Sequence, residues 1–479
     1  LKGIKMYKSV KLHKCQAAYI AVLFSSILFF QNLAVAAWST SPLENTAICT
    51  AKGQQSAIQA IGDGVGGAII VWEDTRNVHF DIFAQRIDAK GNVLWQKNGV
   101  PVCLAEENQR QPKIISDGAG GVIITWHDLR RGISDSDIYA QRIDASGSPL
   151  WKVDGITVCD EINEQDSPCI VTDGAGGAII IWQDTRTNYD DLYAQRINHN
   201  GEVLWKENGV PVCLVYGSQS APVAVEDGHG GAVIVWQDFR KTFADLYAQR
   251  IDSSGSILWD KAGVTVCGAR GHESYPVITG NGAEGAIIAW MDMRNDNTDI
   301  FAQQLDGNGD IIWETDGIPI SIAQEKQDYQ VIATDGAGGA IIAWWDLRSG
   351  KYDIYAQRVD LEGNSLWKDD GLPVCIEAGI QNYVAIAGDG AGGAILSWND
   401  NRSSSFDIYA QRIDSGGNSL WNNNGTLVSA AEDTQCYSAI VGDGNGGAII
   451  VWQDERNTDK SYWDIYVQKI NAAGLLGTQ

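Results

Sequence analysis

After residue 50, apolar and polar positions alternate in short runs separated by glycine-rich turns. Alternation of this kind marks strands that bury one face. In the first stretch it predicts strands over 56–61, 68–74 and 81–88, and a fourth over 93–95 that runs on through 99–102. The turn Asp63-Gly64-Val65-Gly66-Gly67 joins the first two, using glycines that tolerate positive φ. The second strand, Ala68-Ile69-Ile70-Val71-Trp72, is rich in β-branched residues. No helical period appears after residue 37.

The same text then returns seven times. The Trp of a W-x-D-x-R element falls at Trp72, Trp126, Trp182, Trp236, Trp290, Trp344, Trp398 and Trp452, in steps of 54 residues with one step of 56. A fixed period of this size signals a repeat architecture. Eight units of four antiparallel strands predict an all-β chain, an eight-bladed β-propeller. The last unit stops at Leu476, before its Trp, whereas residues 38–49 read like the end of a unit. The N-terminal strand is therefore expected to complete the C-terminal blade, which removes the edges of an open array.

Ahead of the repeats, Lys2, Lys5, Lys8, Lys11 and Lys14 precede an apolar run from Ala17 to Phe30, and Ala34-Val35-Ala36 follows. These are the parts of a secretory signal peptide. The predicted organisation is a signal peptide over 1–37 and a propeller over 38–479, secreted to the periplasm or the exterior with no membrane span after cleavage.

The units follow the pattern D-G-x-G-G-x-x-x-x-W-x-D-x-R…D-I-Y-A-Q-R-x-D-x-x-G-x-x-x-W. The chain resembles secreted bacterial β-propeller repeat proteins throughout residues 38–479. The turn from Asp88 to Trp95 is also similar to the blade turn of pyrroloquinoline-quinone-type propellers, one residue shorter. The resemblance implies the fold; propellers host enzymes, lectins and scaffolds alike.

Net charge is −25, from 60 Asp and Glu against 35 Lys and Arg. Such a surface repels phosphate backbones, so neither nucleic acid nor an anionic membrane is an expected partner. The Asp and Arg of W-x-D-x-R occur in every unit, beginning with Asp74, Arg76, Asp128 and Arg130, and a third acid, beginning with Asp81 and Asp137, is equally regular. Paired carboxylates suit acid–base chemistry. A catalytic pair is needed once, however, and eight copies predict a structural ion-pair network, with bidentate Arg as its lock. By the same reasoning both Trp columns belong to the core.

Six cysteines share one column, filled by Ser321 at its sixth place counted from Cys49; Cys169 and Cys436 lie outside it. The column reads as small buried residues, with Cys159–Cys169 and Cys49–Cys436 as conceivable disulfides. No metal or cofactor motif is present, and the six histidines are scattered.

Function in a repeat protein belongs to what differs between units. The slots flanking the fixed Asp, and the loop after it, vary. They place Trp345, Phe239, Tyr352, Trp463, Tyr189 and His127 on one face as candidate ligand-binding residues. The expected protein is a monomeric, non-enzymatic binding or scaffold module for a protein or glycan, without cofactor. A propeller enzyme acting on polysaccharides is the alternative, and a quinone-dependent oxidoreductase the third.

Overall fold

In the computed structural model, which describes residues 38–187, 189–457 and 462–477, every sheet has four strands and there are eight sheets. The signal-peptide prediction over 1–37 lies outside the described residues. The N-terminal strand is β1 (Thr46–Cys49), and the first blade comprises β2 (Gln55–Gly62), β3 (Ala68–Asn77), β4 (His79–Ile87) and β5 (Val100–Cys103), hydrogen-bonded in that order. All pairs are antiparallel; Trp72 faces Phe83 and Asp74 faces Asp81 across β3 and β4. β2 and its seven equivalents line the central channel. The ring is an eight-bladed propeller.

The middle strand is apolar on both faces because each blade is sandwiched between two others. Ile69 and Val71 pack with Val122, Ile124 and Trp126 of the next blade, whereas Ile70 and Trp72 pack towards the previous one. Ala68 through Trp72 are all completely buried. Burial on two faces replaces alternation with a continuous run, as in other doubly covered strands.

Closure uses β1. It pairs with Asp464–Ile470, so the last sheet takes three strands from the C-terminus and one from the N-terminus. Ile48 and Cys49 join Ile449, Val451, Ile465 and Val467 in one core cluster.

The fourth strand differs from expectation. Val93 makes only an isolated bridge to Ile87, and the strand proper is Val100–Cys103. Asn98 and Gly99 between them adopt positive φ of 64° and 90°, which breaks the extended run. At Gly99 a Cβ would sit 2.4 Å from the Trp72 ring, so only glycine fits over the buried indole.

The repeated polar residues form one motif per blade. Trp72 Nε1 donates to Asp74 Oδ2 at 2.9 Å, and Arg76 grips the same carboxylate through Nε at 2.9 Å and Nη2 at 2.5 Å. Arg76 Nη2 also reaches the Asn98 carbonyl at 2.8 Å and Cys49 Sγ at 3.1 Å, which ties β3 to β1 and to the turn before β5. Its guanidinium lies 3.8 Å from the Phe83 ring centroid. Asp128 and Arg130 repeat these contacts in the second blade, at 2.8 and 2.6 Å. Two parallel charge-assisted bonds to a buried carboxylate fix the loop that follows each middle strand.

Asp81 accepts from Asn77 Nδ2 at 2.8 Å, and burial raises its pKa. Asp137 pairs with Arg131 at 3.0 Å, and burial pushes its carboxyl to about 7. The second Trp column joins neighbours: Trp95 Nε1 donates to the Ala145 carbonyl of the next blade at 3.1 Å. All eight cysteines of the described residues are free thiols, so neither conceivable disulfide forms.

Candidate functional site

Each innermost strand opens with a buried Gln or Glu, two residues before a β-bulge. In β2 the register shifts between Ser56 and Gln59, and Ala57 takes a φ of 52°. Bulges re-aim side chains, and positive φ at a residue with a Cβ is strained. Here the strain recurs in all eight blades, at Ala57, Gln111, Ser167, Ala221, Tyr275, Tyr329, Tyr383 and Tyr437, and places each of these side chains along the channel. The column is small or polar in blades one to four and tyrosine in blades five to eight.

The four tyrosines converge with Trp345 into a curved aromatic wall at one mouth of the channel, lining a cavity of 1040 Å³. Ring centroids are 5.5 Å apart for Tyr275 and Tyr329, 4.4 Å for Tyr329 and Trp345, 4.7 Å for Trp345 and Tyr383, and 4.5 Å for Tyr383 and Tyr437. Interplanar angles run from 37° to 70°: Trp345 with Tyr383 and Tyr383 with Tyr437 meet edge to face, the other two pairs are tilted, and the rings stiffen one another. The tyrosines are 40–55% exposed, whereas Trp345 is 7% exposed behind them. A hydrogen bond with Tyr383, then burial, raises the Tyr437 hydroxyl to about 12, so it keeps its proton.

The variable slot before the fixed Asp has a structural task. It accepts the backbone N–H freed by the bulge of the next blade: Glu73 Oε1 takes Gln111 N at 2.7 Å, Gln183 Oε1 takes Ala221 N at 2.9 Å, and Asn399 Oδ1 takes Tyr437 N at 3.1 Å. Met291 Sδ does so for Tyr329 N at 3.4 Å. Trp345 occupies this slot in the sixth blade and offers no such acceptor. Its own indole N–H is buried without a partner. An unsatisfied buried donor costs about 1–3 kcal/mol, which the ring stacking must offset.

Of the residues singled out from sequence, Trp345 sits at the centre of the wall, Tyr352 packs on it with centroids 5.9 Å apart, and Trp463 lines the same mouth. The Tyr352 hydroxyl donates to Asp328 Oδ2 at 2.8 Å; burial and that carboxylate hold its pKa up to about 12. Phe239 and Tyr189 lie apart from the wall, packed near His272 and Tyr216 at 6.0 and 5.1 Å. His127 is half-buried in the slot, and burial depresses its imidazole to about 4. It is neutral at pH 7.

Gln54, Ser56, Gln111, Ser438 and Gln453 add amides and hydroxyls to the lining of the same mouth. Glu73 and Arg110 are its charged lining residues, and they pair at 2.9 Å. None of Asp74, Asp81, Asp128 or Asp137 borders the cavity.

One acid departs from the repeat. Glu273 fills the column held elsewhere by Gln55, Gln109, Gln165, Gln219, Gln327, Gln381 and Gln435. It is completely buried, with both carboxyl oxygens unpartnered. Burial, then Asp292 and Asp245, raises its pKa to about 8. Glu273, Asp292 and Cys267 could each turn one ligand atom towards a cation. Asp292, however, is already gripped by Arg294 at 2.6 Å, and the same guanidinium contacts Cys267 Sγ at 3.3 Å. A guanidinium in that position disfavours a metal, and a protonated Glu273 stands in for the usual Gln.

No protein-family model matches the chain, and no curated protein matches it. Among solved structures it is similar to a polysaccharide lyase of family PL25, an ulvan lyase bound to -[GlcA(1-4)Rha3S]-, at 9% identity and a TM-score of 0.50 over 91% of this chain and 97% of that one. A second structure of a PL25 ulvan lyase aligns at 10% identity and a TM-score of 0.50 over the same shares. The polysaccharide lyase Uly1 aligns at 10% identity and a TM-score of 0.43 over 77% of this chain and 91% of that one. At these identities the likeness is one of fold.

Proposed function

We propose that this chain is a secreted, non-enzymatic carbohydrate-binding propeller whose site is the aromatic mouth of its channel. The observation that carries the reading is the half-ring of tyrosines around Trp345. Sugars present a C–H face that stacks on aromatic rings and a hydroxyl rim that hydrogen-bonds. The mouth combines an aromatic wall with amides and hydroxyls in one lining, which supports that pairing. The charged side chains in the mouth neutralise each other, and the unit-specific acid Glu273 is buried away from the cavity. Among the described residues that line this mouth, Glu73 is the one carboxylate, and Arg110 holds it.

A glycan array probed with residues 38–479, beside a Tyr329→Ala/Tyr383→Ala variant, tests the proposal. Binding by the parent and its loss in a variant that melts normally is the expected result. Binding retained by the variant, or release of reducing ends from the bound glycan, would count against it.

A further inference from the structure

We infer that the mouth takes the end of a neutral glycan chain, entering the channel, rather than the flank of an anionic one lying across the face; this rests on the carbohydrate reading above. Three observations carry it. The first is where the rings stand. Tyr275, Tyr329, Tyr383 and Tyr437 arise from bulges on the innermost strands, so a ligand that touches more than one of them must enter the mouth. The second is how the rings are set. Successive planes turn by 37° to 70°, and centroids lie only 4.4–5.5 Å apart. A flat ribbon of sugars needs coplanar platforms spaced along its length. A curved wall of mutually tilted rings instead embraces one or two sugars. The close packing also leaves no gap between rings for an ammonium group, which an aromatic cage for organic cations requires.

The third observation is charge. Arg110 is the cation of the mouth, and Glu73 holds its Nε at 2.9 Å while the Phe80 ring stacks on its guanidinium at 4.0 Å. It is neutralised before any ligand arrives. The chain as a whole carries −25. At the mouth a uronate or a sulfated sugar would meet repulsion on approach and a cation already paired with Glu73, with Lys113 set deeper in the channel.

The test is isothermal titration of residues 38–479 with linear oligosaccharides of three to thirty sugars. Three series are run: neutral glucans and xylans, oligouronates, and sulfated oligosaccharides, with choline as a competitor. The expected result is binding of a neutral series at one protein per chain whatever the chain length. Affinity falls about tenfold or more in Tyr329→Ala/Tyr383→Ala, as loss of stacked area predicts. Glu207→Gln, exposed in the turn before the strand Val210–Cys213 and outside the mouth, serves as a control that binds as the parent does. A protein-to-chain ratio that rises with length would overturn end-on entry. Preference for the uronate or sulfated series, or displacement by choline alone, would overturn the neutral ligand. Glycan binding that ignores the tyrosine variant moves the site elsewhere and sinks this inference while the carbohydrate reading stands. Absence of binding to every series removes both.

Discussion

Blades one to four and blades five to eight are built alike and furnished differently. Both halves carry the Trp–Asp–Arg lock in every blade, with Arg Nη2 to carboxylate distances of 2.5–2.6 Å. Both halves carry the strained bulge on the innermost strand. Only the residue on the bulge changes, from Ala57, Gln111, Ser167 and Ala221 to four tyrosines. In a ring of copies, what repeats builds the scaffold, and what breaks the repeat in one arc marks the proposed site.

The comparison can be broken most forcefully at the lock. Asp128→Ala would strand the Arg130 guanidinium and the Trp126 indole N–H in the core; removing one partner of a buried pair costs about 3–5 kcal/mol. Asp346→Ala, in the aromatic half, should cost the same. Urea unfolding of the two variants measures this, and a large difference would mean the halves are not built alike. Next in size is Tyr329→Ala, which should weaken glycan binding about tenfold with little change in stability, whereas Ala221→Ser in the other half should leave binding alone. Titration beside a thermal melt separates the two quantities.

A third effect depends on pH. The folded pKa of Glu273, about 8, lies above its ordinary value of about 4.5, so the folded state holds the proton longer. Its contribution is full below pH 4.5 and is lost as pH rises towards and through 8. Glu273→Gln cannot lose a proton. Melting curves should therefore show parent and variant diverging from about pH 5 upwards, with the variant more stable at pH 9. Parallel curves would mean that Glu273 is ionised in the fold. The smallest effect belongs to Cys213→Ser. Ser321 already fills that column, where Arg348 Nη2 reaches its Oγ at 3.2 Å, so a cost under about 1 kcal/mol in the same unfolding assay is expected.

The blades and their closure were legible because the 54-residue period exposes every strand eight times over. The break in the fourth strand was not, since Asn98 and Gly99 read as one more turn inside an extended run. The tyrosine column escaped for a related reason. Its residues follow a buried Gln or Glu within a strand, and alternation gives no hint that a bulge turns them into the channel. Reading the column two residues after each Gln or Glu as Ala, Gln, Ser, Ala, Tyr, Tyr, Tyr, Tyr would have found them. His127 was singled out because its slot varies. That slot varies because Glu, Gln, Asn and Met can all accept one amide hydrogen.

The shared last blade has a consequence for how the chain comes to be folded. Arg456 Nη2 reaches Asn45 Oδ1 at 2.8 Å although the two are 411 residues apart along the chain. The strand made first must wait, edge bare, for the three strands made last. Seven blades can form as each emerges, but the eighth is a long-range contact of the kind that slows folding. A circular permutant that restores the missing strand to its own blade should refold faster and, once folded, open more readily, because its ring would be held by packing alone.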